Sequence, residues 1–164
     1  MFASKHEACY AKKRIKEPLV MLKFPMKFEV SATATPGIGR QWTSQADDLA
    51  PIPCTIPPEF SGPGNGYSPE DLFGIALLSC LIATYKVYCE KAKISFQTLQ
   101  GKASVIIDKQ PSETSFAITE INVHFDVVGA SDQEKARTIF DQTIKDCAIS
   151  NSIKSGKTFH INIS

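Results

Sequence analysis

The sequence has no hydrophobic run long enough to dominate it. Its longest, Leu72 to Ala83, falls short of the roughly 18–20 apolar residues that cross a bilayer, so no membrane span is expected. The N-terminus lacks the apolar core and small-residue cleavage site of a secretory leader, since Leu19 to Leu22 is too short. An excess of one charge is missing as well. Eighteen Lys and Arg against 17 Asp and Glu leave a formal net charge of +1, which gives no field to recruit nucleic acid or an acidic substrate. There is no Cys-x-x-Cys, and His6, His124 and His160 are scattered, so the usual zinc patterns and a Cys–His nucleophile pair are not in view. No Gly-x-x-x-x-Gly-Lys occurs. Gly62, Gly64 and Gly66 precede a helix but follow no strand, unlike a dinucleotide-binding turn. No internal repeat or low-complexity tract is present. The default location is therefore cytosolic. There the five cysteines, odd in number and irregularly spaced, begin as thiols rather than as a disulfide scaffold.

What is present suits one domain with its own core: 164 residues, 43% hydrophobic and 21% charged. Residues 1–25 form a basic extension. Lys5, Lys12, Lys13, Arg14, Lys16 and Lys23 face only Glu7 and Glu17. Such a segment reads as a weakly structured, solvated tail, with a nucleic-acid or membrane-surface arm as the rarer use. Met21 and Met26 also allow a later start. Residues 26–164 are expected to form the single domain.

Alternation from Met26 to Thr35 predicts a half-buried strand. Pro36, Gly37 and Gly39 mark a turn before Arg40 and Trp42. The proline-rich stretch 45–68 reads as short edge strands and a long loop anchored by Leu49, Ile52 and Phe60. Ser68-Pro69-Glu70-Asp71 is a helix start: Ser68 caps, Pro69 fits the first position and Asp71 completes a capping box. The helix should run to about Ala92. Its first half, with Leu72, Phe73, Ile75, Ala76, Leu77, Leu78, Leu81 and Ile82, is apolar nearly all round, the pattern of a helix buried on every side. One small chain has too little surface to cover such a helix, so a second subunit sharing the core is expected.

Strands are predicted over Phe96–Lys109 and Phe116–Val128, joined by a Gln-Pro-Ser-Glu-Thr turn. Ser131-Asp132-Gln133-Glu134 reads as a second capping box, opening a helix with Ala136, Ile139, Phe140 and Ile144 on one stripe. A short helical turn follows Asp146, then a strand from Lys157 to Ser164 with Phe159, Ile161 and Ile163 inward. His124 and His160 alternate with these apolar positions and point away from the core. With no repeating βαβ unit, the order argues for an α+β domain.

Cys80 and Cys147 carry the most information. An apolar helix more often uses a cysteine such as Cys80 as core filler than as nucleophile. Cys89, nine residues on, faces the opposite side of the helix and reads as structural, as does Cys54. Cys9 is incidental to the tail. Cys147 sits at a helix N-terminus, where free amides favour a thiolate and Asp146 opposes it; an ordinary small residue at a helix junction is the equal alternative. Arg40 alone is first an exposed loop charge.

Taken together, Gly64-x-Gly66-Tyr67-Ser68-Pro69-Glu70-Asp71-Leu72-Phe73, an apolar helix reaching Ser79-Cys80, and Cys147-x-x-Ser150-x-Ser152 resemble the OsmC/Ohr family of thiol peroxidases. The resemblance spans about residues 26–164. It implies the OsmC-like fold: antiparallel β-sheets wrapped around a long central buried helix in an intertwined homodimer. It also implies two-cysteine reduction of organic or lipid hydroperoxides. Cys80 matches the peroxidatic position and Cys147 the resolving one. Arg40 matches an arginine that hydrogen-bonds the peroxide, and Glu70 a glutamate that holds the guanidinium. Phe73, Leu77 and Trp42 would supply apolar walls. No cofactor is implied beyond an external dithiol reductant, for which a lipoyl-type dithiol is one candidate. A divergent OsmC-like protein that binds a small molecule, or serves in stress with little turnover, is the second reading.

Overall fold

The computed structural model describes residues 23–110 and 115–164. Cys9, most of the basic extension and most of the predicted hairpin turn lie outside them. Three short strands come first: β1 (Val30–Thr33), β2 (Trp42–Ala46) and β3 (Ile52–Cys54), followed by a 3₁₀ turn at Pro58–Phe60. Then come α1 (Pro69–Ala92), β4 (Thr98–Lys109), β5 (Phe116–Val128), α2 (Gln133–Asp146), α3 (Ala148–Ser152) and β6 (Gly156–Ile163). The architecture is α+β, with two three-stranded sheets ordered β1-β2-β3 and β4-β5-β6.

The α1 boundaries follow from local chemistry. Ser68 Oγ accepts from the Asp71 amide at 3.0 Å, and Asp71 Oδ2 accepts from the Ser68 amide at 2.9 Å. At the other end Lys93 takes a left-handed conformation and its amide returns to the last carbonyls. By length and composition the full helix is long and apolar enough to cross a membrane, beyond what the Leu72–Ala83 run suggested. In this fold it is the core helix, packed on β4, α2 and α3. Leu77, Leu81, Tyr85 and Cys89 recur every four residues and are buried, while Ile75 and Val87 stay 43% and 50% exposed. Burial on every side, expected from the sequence, is thus burial of one stripe in a single chain.

The core lies between that stripe, the inner face of β5 (Ile121, Val123, Phe125, Val127) and Ile139 and Phe140 of α2. A register shift between Ile106 and Ile107 inserts an extra residue in β5. Ile118, out of phase with Ile121, thereby joins the core side. Phe125 lies against Gly101, where a Cβ would come within 2.5 Å of its ring. Glycine permits that close approach.

Two sequence expectations are corrected. The second sheet is mixed rather than antiparallel: β4 pairs antiparallel with β5, but β6 pairs parallel with it. The α2–α3 segment carries the chain back across the sheet, so β6 enters in the same direction as β5. The cap of α2 is Asp132, whose carboxylate accepts from the Lys135 amide, and not Ser131. Ser131 Oγ instead accepts from the Ser95 amide.

The β1–β3 sheet is different in kind. Every β1 residue is exposed, and Phe28 and Val30 are 88% and 80% open. It is tied to the loop before α1 at β3 and just after it, where the Thr55 amide donates to the Tyr67 carbonyl and the Tyr67 amide to that of Pro53, and ahead of β2, where Gln41 Nε2 donates to the Asn65 carbonyl.

Candidate active site

Cys80 projects from the middle of α1 and is partly buried; Cys147 is fully buried. The two residues are 67 positions apart in sequence, and Cys147 Sγ lies 2.7 Å from Cys80 Sγ. Both are free thiols. Cys147 occupies a break between two helices. Its amide closes α2 on the Thr143 carbonyl at 3.0 Å. Its carbonyl accepts from the Asn151 amide, and its sulfur from the Ser150 amide at 3.4 Å, opening α3. The extended backbone at this single residue turns the side chain inward toward α1.

The sequence suggested that the helix N-terminus would favour a Cys147 thiolate. Burial pushes this thiol up instead, to about 11, and its hydrogen bond to Cys80 adds to the rise. The amides of Ser150 and Ile149 pull the other way and are outweighed.

Arg40 and Glu70 are not brought to the sulfurs in one chain. Glu70 lies in the first turn of α1, ten residues before Cys80, about 15 Å along the helix axis. Its Oε2 is buried without a hydrogen-bond partner. It lines a cavity of about 760 Å³ with Phe60, Val105, Ile107 and Phe116. Arg40 is exposed in the loop before β2, where its amide donates to the Gly37 carbonyl. Among the described residues the ion pair is Lys27–Glu29, and Arg40 and Glu70 form none with each other. Of the expected apolar walls, Leu77 and Phe73 belong to the core around the thiols, whereas Trp42 is on β2, outside it.

Two further pairings lie outside the thiol pair. Tyr88 on α1 donates its hydroxyl to Asp146 Oδ2, which also accepts from Gln142 Nε2 at 2.7 Å. Partners 58 residues apart leave no sequence signal of this pairing. His124 and His160 point off the core as expected and stack with ring centroids 4.6 Å apart. No group of three or more metal-ligating side chains is found among the described residues. Cys54 is buried and meets Ser44 Oγ at 3.3 Å. Cys89 lies in the buried stripe, away from Cys80.

Comparison with known proteins adds a family to this geometry. A hydroperoxide reductase of Mycoplasma genitalium is 26% identical over 104 residues, covering 61% of this chain and 71% of that protein. An uncharacterized protein of Acinetobacter baylyi is 25% identical over 131 residues, covering 78% and 87%. The fold is shared with an OsmC-like protein of unknown function from Vibrio cholerae, at a TM-score of 0.74 and 17% identity, covering 84% of this chain and 99% of that one. The family model for OsmC-like protein matches residues 62–162, which include both thiols and the whole of α1. On that match the chain belongs to the OsmC family.

Proposed function

We propose that this protein is a two-cysteine thiol peroxidase that reduces organic hydroperoxides to alcohols. The observation that carries the reading is the 2.7 Å contact between a partly open Cys80 sulfur and a fully buried Cys147 sulfur. Their difference in accessibility supports the following roles. The thiolate of Cys80 attacks the outer peroxide oxygen, the O–O bond breaks, and the alkoxide leaves and takes a proton as alcohol. Cys80 becomes a sulfenic acid. The Cys147 sulfur then displaces its hydroxyl, which departs as water with the Cys147 proton, and a Cys80–Cys147 disulfide forms. An external dithiol returns both thiols and is itself oxidised to a disulfide. This cycle suits a reducing, cytosolic setting.

The arrangement of Arg40 and Glu70 points to a homodimer. A carboxylate oxygen buried without a partner is costly, and Glu70 lies about 15 Å along the axis of α1 from Cys80 of its own chain. A second copy crossing α1 would cover the exposed Ile75 face and bring its Arg40 and Glu70 to Cys80. There the guanidinium would orient the peroxide and the carboxylate would hold the guanidinium. The apolar surroundings of Leu77 and Phe73 favour alkyl or lipid hydroperoxides.

The test is consumption of cumene hydroperoxide with a dithiol reductant. The parent protein is expected to turn over, Cys80→Ser to lose turnover, and Cys147→Ser to complete one cycle and hold a sulfenic acid. A parent without turnover, or a Cys80→Ser variant as active as the parent, refutes the peroxidase reading and leaves a binding protein of the same fold.

A further inference from the structure

The residue next to Cys147 is fastened to the helix that carries Cys80. Tyr88 lies two turns beyond Cys80 on α1, and its hydroxyl reaches across to Asp146, the last residue of α2. Gln142, one turn back on α2, donates to the same carboxylate oxygen at 2.7 Å. Lys91 sits over the Tyr88 ring, 5.7 Å from its centroid, an arrangement that favours the ring's position. The Asp146 carboxyl is held below its ordinary value, first by the Tyr88 hydroxyl and then by Gln142. The carboxylate is thus a charged acceptor for both donors.

We propose that Tyr88 and Asp146 act as a latch that positions Cys147 against Cys80. The inference rests on the reading of these two thiols as a redox pair, and needs no particular peroxide. Cys147 has extended backbone between two helices, so its sulfur can be moved by small rotations at one residue. Asp146 is the adjoining residue, and the Tyr88 hydroxyl fixes it to α1. Disulfide formation demands alignment of sulfur with sulfur, and rates and equilibria both fall when two groups lose a fixed relative position. Tyr88 is therefore a positioning residue that acts through Asp146 and touches no reacting atom.

A second tie between the same helices supplies the control. Lys135 Nζ donates to the Ala92 carbonyl at 3.1 Å, near the start of α2 and far along the chain from Cys147. If the latch acts locally, losing this tie should leave the thiols undisturbed.

The experiment equilibrates the full chain in glutathione redox buffers and quantifies the Cys80–Cys147 disulfide by alkylation and peptide mass mapping. Tyr88→Phe keeps the ring and removes the hydroxyl. Its disulfide should be weaker than the parent's by about three- to tenfold in equilibrium constant, the scale of one lost solvent-exposed hydrogen bond. Asp146→Asn, which keeps an acceptor oxygen, should fall between them, and Lys135→Ala should match the parent. Thermal melts confirm that each variant is folded, and Asp146→Asn decides the matter if Tyr88→Phe is not. A Tyr88→Phe midpoint equal to the parent's overturns the latch, as does a Lys135→Ala shift of the same size. A parent that forms the disulfide yet consumes no hydroperoxide refutes only the peroxidase reading. A parent that forms no disulfide overturns both.

Discussion

The two parts of the expected site differ in how one chain builds them. The sulfurs meet because α1, α2 and the helix break at Cys147 all pack on one core, whose inner residues are fully buried. The charges do not meet: Arg40 belongs to a loop beside an exposed sheet, and Glu70 to the far end of α1 with an unsatisfied oxygen. Core packing can position a covalent pair by itself. A charged pair at a margin needs another surface to dehydrate and align it.

The sharpest way to break this contrast is complementation. Cys80→Ser and Glu70→Gln, each inactive alone, should regain roughly a quarter of parent turnover when co-expressed, because half the pairs are mixed and hold one intact site of two. No recovery would place Glu70 in the service of its own chain or of none. The next test compares the two regions in stability. Leu81→Ala, in the core, should cost about 2–5 kcal/mol in urea unfolding. Val30→Ala, on the open sheet, should stay within about 0.5 kcal/mol in a dilute monomer, and cost more wherever a second copy covers that sheet.

The buried thiol sharpens the comparison with pH. Only a thiolate attacks, and Cys147 is raised to about 11. After a single peroxide pulse, loss of the Cys80 sulfenic acid should therefore accelerate as pH rises and level off only near that value. The sign for stability is opposite. The folded state keeps the proton that the unfolded thiol releases near its ordinary value of 9.0. Stability present below that pH is lost as pH climbs toward about 11. A smaller loss than that of Leu81→Ala belongs to the cap at the Glu70 end: Ser68→Ala should lower stability by about 1 kcal/mol in the same unfolding assay.

The elements legible in the sequence were those fixed by neighbours along the chain. The Ser68–Asp71 box, the α1 length, the β5 span and the alternation of Phe159, Ile161 and Ile163 all follow from local spacing. Long-range relations were not legible in this way. Alternation in β6 is the same whether a strand runs parallel or antiparallel, so its direction had to come from the crossover. An all-apolar helix does not say which face its own chain covers. The Cys80–Cys147 neighbourhood was anticipated only through family resemblance, because nothing local links positions 67 apart. The Tyr88–Asp146 contact had no such guide.

One more consequence follows from that separation. A bond between Cys80 and Cys147 would close a ring of nearly half the chain while moving the folded atoms little, since the sulfurs already touch. The unfolded chain alone would lose freedom, worth about 4 kcal/mol for a loop of this size in the chain-entropy account. Oxidised protein should therefore melt well above reduced protein, so that heat resistance itself becomes a gauge of how recently the molecule met an oxidant.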